Sequence, residues 1–175
     1  RRIVKKLAAR SDVLIENFKV GGLAKFGLDY ASLSQDNPRL IYCAISGFGQ
    51  TGPERNGAGY DGKIQAMSGI MAITGHEESG PTRAGFAVCD VLSGATAAFG
   101  VSSALFQRHQ TGKGQFVDVS MLEATLAFLS GQIADWSVAG HRQQLSGNQA
   151  VSRKTTANLF KAGDGYILLA VNNEK

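Results

Sequence analysis

The stretch RLIYCAISGFGQTGPERNGAGYDG, residues 39–62, decides the fold. Its first part is a strongly apolar run that reads as a strand, opened by Asn37-Pro38 and closed by glycine. Its second part is a glycine-rich loop into which that strand empties. On the N-terminal side, Ile3, Val4, Leu7 and Ala8 recur at helical spacing, and that helix is expected to end near Arg10 and Ser11. DVLIENF (12–18) reads as a short buried strand, GGLAKFGL (21–28) as a Gly-bounded helical turn, and YASLSQDNP (30–38) as a short helix.

On the C-terminal side the pattern continues to alternate. Residues 63–73 look helical, and a helix rich in Ala, Ser and Gly is expected from about Val91 to Arg108. HQTGKG is a helix stop with a turn, QFVDVS a strand, and MLEATLAFLSGQIADWSVAG another helix. Strands alternating with helices predict an α/β fold with a mostly parallel sheet. Residues 141–158 are polar and read as a linker, and FKAGDGYILLAV (160–171) as a hairpin opening a new unit. No internal repeat is visible. The chain opens without Met on a pattern that reads as mid-helix and stops at NNEK just after a strand-like run, so a piece of a longer protein is expected.

Composition narrows the function classes. The 175 residues are 43% hydrophobic, as in a packed soluble domain, and no uninterrupted apolar run reaches membrane-span length. A net charge of +4, without a Lys/Arg block or aromatic–basic interleaving, argues against nucleic acid and suits an anionic small ligand. Cys43 and Cys89 lie in apolar strand-like runs with no metal spacing, and are expected to be buried reduced thiols in a cytosolic protein. The three histidines, His76, His109 and His141, are dispersed, and no metal site is expected. There is no P-loop, no GxGxxG after a strand and no GxSxG elbow.

In α/β sheets ligands collect beyond the carboxyl ends of the strands. Three loops fit that position: ENFKVGGLAKFG, SGFGQTGPERNGAGYDG and CDVLSG. Their glycines permit close backbone approach to a phosphate or pantetheine chain, and Lys25 offers a mobile positive charge. Each loop alone is an ordinary turn; three at one sheet edge point to a site. Within GFAVCDVLSG (85–94), Asp90 reads either as an N-cap for the following helix or as a carboxylate nucleophile at the positive end of its dipole. Glu16 is a strand-end hydrogen-bonding group or a site carboxylate, and Asp61 a helix cap or a site carboxylate. Asp118 and Glu123 are expected to serve strand-end pairing and helix solvation.

VLIENFKVGGLAKFGLDYASLSQDNPRLIYCAISGFGQTGP, AGYD, GFAVCDVLSG and QTGKGQFVDVSMLEA together resemble the family III CoA-transferases, the group of formyl-CoA transferase and carnitine CoA-transferase. The resemblance runs over residues 12–124, with looser similarity through FKAGDGYILLA. It implies a large, Rossmann-like, coenzyme A-binding domain of which residues 1–140 are part, a linker at 141–158, and the start of a small domain at 159–175. Asp90 falls on the position of the family's nucleophile. Asn17, Phe18, Lys25 and Phe26 fall on its CoA-contacting segment, and Tyr60 and Asp61 on the acyl end of CoA. Lys25 stands where an Arg is frequent, which turns a bidentate phosphate grip into a point-charge contact. Val20 stands at a position that is usually Pro.

Tyr60 also bears on the reaction. The related α-methylacyl-CoA racemases carry His there as half of a proton-shuttling pair, and a tyrosine with a pKa near 10 is poorly poised for that work. The resemblance therefore implies transfer of CoA between an acyl-CoA and a small carboxylic acid, through an aspartyl anhydride and an aspartyl-CoA thioester. It also implies an interlocked homodimer. A racemase-type isomerase and a catalytically silent CoA-binding domain are the rival readings. FKAGDGYILLAVNN is similar to the branch that handles dicarboxylates, while the residues leave the donor and acceptor acids open.

Overall fold

The computed structural model describes residues 1–152 and 154–171. Strands β1 (Val13–Glu16), β2 (Ile41–Ser46) and β3 (Phe116–Ser120) form a parallel sheet in the order β1-β2-β3. Val13 pairs with Ile41 and Tyr42 with Phe116, so all three strands release their chains at one edge. Ile41, Tyr42, Cys43 and Ala44 of the central strand are buried, because helices cover both faces of β2. That is why this segment reads as a continuous apolar run rather than as alternation.

Helices α1 (Arg2–Ala8) and α2 (Tyr30–Asp36) lie on one face, where Ala8, Leu33, Leu40, Tyr42 and Ala44 form one cluster. On the other face α5 (Val88–Thr111) packs Ala97 against Cys43 and Val119. Helices α3 (Asp61–Ser68) and α6 (Met121–Phe128) join α5 through Ile64, Cys89 and Met121. Burial of each large aliphatic side chain here contributes about 1.5–3 kcal/mol. The Ser120 hydroxyl accepts from the Glu123 N–H at 3.2 Å and starts α6 directly at the end of β3.

The α/β class with a parallel sheet matches the expectation from the sequence. Several boundaries do not. The helical stretch expected at 63–73 is divided into α3 and α4 (Ile70–Ile73) by Gly69, whose φ of 93° leaves the helical region. The stretch from Met121 to Gly140 is divided at Leu129 into α6 and α7 (Ser130–Ala139). Helix α5 begins at Val88, three residues before the expected start, so Cys89, expected in a strand-like run, lies in its first turn, whereas Cys43 is in β2 as expected. Helix α5 is 24 residues long and contains an 18-residue window of mean hydropathy 1.4, so it is long and apolar enough, by length and composition only, to cross a membrane. The sequence reading had found no such segment, because the Gly, Ser and Thr residues of α5 interrupt its apolar run. In this structure α5 packs on β2, β3, α3 and α6.

Among the described residues between 140 and 156 there is no helix or strand. This segment is anchored where the Gly147 N–H donates to the Gly75 carbonyl at 2.8 Å. Strands β4 (Ala157–Ala162) and β5 (Gly165–Ala170) then form the antiparallel hairpin. Residues 172–175 of the unit expected at 159–175 lie outside the described residues.

Candidate active site

A cleft of about 690 Å³ opens at the carboxyl edge of the sheet. Four chain segments meet there: residues 17–20 after β1, the end of β2 with the glycine-rich loop after it, the first two turns of α5, and Met121 directly after β3. Asn17, Phe18, Tyr60, Asp61 and Asp90 all line it. Lys25 and Phe26 do not. They sit on a 3-10 turn, Ala24–Phe26, with the Lys25 ammonium 5.0 Å from the centre of the Phe26 ring. Lys19 and Arg55 are the cations that face the cleft, two residues the sequence reading did not select.

The floor of the cleft depends on two glycines. A Cβ on Gly47 would come within 2.5 Å of the Gly59 Cα, and one on Gly59 would overlap the Gly47 Cα. The two backbones therefore touch, closing the glycine-rich loop back on the end of β2. The far side of the loop is held by Asp118, whose carboxylate accepts from the Gln50 N–H at 2.9 Å. Asp118 therefore does two things: its backbone pairs with Ala44 in the sheet, as expected, and its side chain anchors the loop.

Asp61 and Asp90 are both carboxylates at helix starts, but their environments differ sharply. Asp61 is 9% exposed. Its Oδ1 accepts from the Cys89 N–H at 2.9 Å, and its Oδ2 accepts from Gln65 Nε2 at 2.6 Å. Arg83, 3.4 Å away and largely exposed, adds a weak ion pair. Asp90, by contrast, is exposed to the cleft as the third residue of α5. It is not the N-cap: that position is Ala87, which supplies no side-chain bond. The cap is delivered from α3 by Asp61. With the Cys89 N–H satisfied in this way, α5 starts early, and Asp90 lies inside its first turn, where the helix dipole favours an anion.

The remaining candidates have local roles. Glu16 accepts from the Phe18 N–H at 2.8 Å and so shapes the turn that carries Asn17 and Phe18. Burial pushes its carboxyl pKa up, against that hydrogen bond. Burial likewise pushes up the thiols of Cys43 and Cys89, both unpaired and buried, which disfavours the thiolate each would need as a nucleophile. Tyr60 is 64% exposed at the rim. Among the described residues no group of three or more His, Cys, Asp or Glu is placed to hold a metal ion. Gln65 was also missed by the sequence reading, although it stands one helical turn after Asp61, a spacing that puts both on one face.

The model of one protein family, described as CoA-transferase family III, matches residues 1–175. The chain is 42% identical over 172 residues to the succinate–glutarate CoA-transferase of Agrobacterium fabrum, covering 98% of this chain and 43% of that protein. It is 40% identical to the acetyl-CoA:oxalate CoA-transferase of Acetobacter aceti, covering 99% of this chain and 45% of that one. Among solved structures, a CAIB/BAIF family protein from Brucella suis superposes with a TM-score of 0.91 at 41% identity, over 97% of this chain and 44% of that chain. The chain thus spans less than half the length of the relatives it matches.

Proposed function

Because this chain belongs to CoA-transferase family III, we propose that the protein moves CoA between an acyl-CoA and a carboxylic acid with Asp90 as the covalent carrier. The observation that carries this reading is the contrast between the two cleft carboxylates. Asp61 is buried and saturated with hydrogen bonds, whereas Asp90 faces the cleft from the first turn of α5.

The steps balance without ATP. The Asp90 carboxylate attacks the thioester carbonyl, the C–S bond breaks, and CoA leaves as its thiolate. The thiolate attacks the Asp90 carbonyl of the resulting anhydride and expels the donor acid, leaving an aspartyl-CoA thioester. The acceptor carboxylate attacks that thioester and again releases CoA thiolate. The thiolate then attacks the acceptor's carbonyl, forming the new acyl-CoA and regenerating Asp90. The anhydrides must be kept from water, which agrees with a reacting group set in a walled cleft rather than on an open face. The N-terminus of α5 stabilises the carboxylate that is regenerated.

The acceptor proposed is a small dicarboxylic acid. Relatives named for succinate, glutarate and oxalate support that class, and Lys19 and Arg55 supply positive charge along the cleft. Asn17 and Phe18 are proposed as CoA contacts within the cleft and Lys25 and Phe26 as contacts beyond it, with Tyr60 near the acyl end. The intact protein is proposed to work as a homodimer. The test is CoA exchange between succinyl-CoA and a panel of carboxylic acids by the full-length protein, wild type against Asp90→Ala. Loss of exchange in the variant is expected, and near-wild-type exchange would overturn the role of Asp90. Deuterium wash-in at the α-carbon would favour an isomerase, and CoA binding without exchange in the wild type a silent binding domain.

A further inference from the structure

Gln65 is fully buried, and each hydrogen-bonding atom of its amide is engaged. Its Nε2 donates to Asp61 Oδ2 at 2.6 Å and, more weakly, to the Phe86 carbonyl at 3.4 Å. Its Oε1 accepts from the Ala84 N–H at 2.9 Å. The amide orientation is therefore fixed by partners of opposite kind, a carboxylate on one side and a backbone donor on the other. Asp61 in turn accepts from the Cys89 N–H. Two side chains one turn apart on α3 thus clip the backbone at residues 84, 86 and 89. That is the strand of chain that delivers Asp90.

Within the segment itself the backbone adds one tight turn, the Val88 N–H donating to the Phe86 carbonyl at 2.8 Å. Ala87, the residue at the N-cap of α5, makes no side-chain bond, and a Cβ on Gly85 would meet nothing within 4 Å. The side-chain support of the segment comes from α3. We propose that Gln65 is a positioning residue for Asp90: together with Asp61 it fixes the turn at residues 84–89 and so the place of the Asp90 carboxylate in the cleft. The inference rests on Asp90 being the covalent carrier. A positioning group acts on the covalent step rather than on CoA affinity, and a shift of about 1 Å in a reacting group is enough to cost about 100-fold in rate.

Gln65→Glu in the full-length protein tests it. The introduced carboxyl keeps the acceptor for the Ala84 N–H but, when ionised, replaces the donor to Asp61 with a like charge. When protonated it donates to Asp61 again and restores the pattern. The charged groups on the elements packed around position 65 are Asp61 and Lys63 on the same helix, the latter turned to the Ala58 carbonyl, Arg83 from the loop before α5, and Asp90 in the first turn of α5. Cys89 of α5 is the nearby thiol, α4 has no titratable residue, and Glu123 of α6 is exposed. The deficit in kcat relative to wild type should therefore be at least about tenfold near pH 8 and shrink as the pH falls. KM for succinyl-CoA should stay within about twofold, the signature of lost transition-state rather than uniform binding. Gln65→Met, which fills the space without hydrogen bonds, should show the same kcat deficit at every pH. If Gln65→Met fails to fold, the pH-dependent ratio of Gln65→Glu to wild type still decides. Wild-type kcat in Gln65→Glu across the pH range, or a loss carried by KM, overturns the inference. Asp90→Ala in the same assay separates the cases: an active Asp90→Ala removes the carrier itself, whereas an inactive Asp90→Ala beside an unaffected Gln65→Glu removes only the positioning role.

Discussion

The Asp61 carboxylate caps a helix that is not its own: its Oδ1 accepts from the Cys89 N–H, 28 residues later, at 2.9 Å. One carboxylate at the start of α3 thereby sets where α5 begins, and so places Asp90 one residue beyond the capped N–H. Asp61→Ala should remove that cap and leave the buried amide of Gln65 without its strongest partner. An unsatisfied buried group costs about 1–3 kcal/mol, to which the lost cap adds about 1 kcal/mol. Urea unfolding should give an unfolding free energy lower by that amount; an unchanged value would mean that water replaces the carboxylate without loss.

Gly94 stands one turn after Asp90, lines the cleft, and has open space where a Cβ would be. Replacing a helical glycine by alanine lowers the entropy of the unfolded chain and stabilises by about 0.5–1 kcal/mol. Gly94→Ala should therefore raise thermal stability while its methyl group narrows the cleft beside Asp90. Calorimetric titration with CoA, or KM for succinyl-CoA, should show weaker binding in the more stable protein. Unchanged binding would place the acyl chain elsewhere in the cleft.

Gly47→Ala should act in the opposite sense. Its Cβ would meet the Gly59 backbone, which has no flexible end to yield. Overpacking of that kind costs about 1–3 kcal/mol and would lift the loop off the end of β2. Both stability and CoA binding should fall together. A variant that loses neither would show that the contact between the two backbones is not needed to form the cleft.

Tyr42 gives a pH signature for the core. Its hydroxyl donates to the Leu28 carbonyl at 3.0 Å, and burial, with smaller contributions from Glu16 and Asp29, pushes its pKa from 10.0 up to about 12. The folded state thus holds the phenolic proton more tightly than the unfolded chain. Its contribution is fully present below pH 10 and is lost as the pH rises from 10.0 towards about 12. The difference in unfolding midpoint between wild type and Tyr42→Phe should shift in favour of the variant over that window. A constant difference would contradict the account.

How much of this was legible in the sequence follows from the range of each interaction. β2 was readable because burial on both faces leaves a continuous apolar run, and the loops after β1 and β2 because parallel strands release their chains at one edge; CDVLSG, expected as a third loop, is instead the start of α5. The start of α5 was not, because its cap comes from Asp61, 28 residues earlier, whereas the local pattern offers Asp90 itself as the cap. Gln65 carries no motif; its role exists only once α3 lies against residues 84–89. Lys25 and Phe26 were chosen from a loop that does reach the site, but the chain turns away after Val20. The breaks at Gly69 and Leu129 were hidden by helix-compatible residues on either side.

The central claim, that Asp90 becomes covalently acylated, is tested most directly by trapping. The full-length protein incubated with succinyl-CoA is quenched with hydroxylamine and mapped by peptide mass spectrometry. A hydroxamate on Asp90, absent without succinyl-CoA and absent from Asp90→Asn, is the predicted result. CoA exchange that proceeds while Asp90 stays unmodified, or a hydroxamate on another carboxylate such as Asp61, would contradict it.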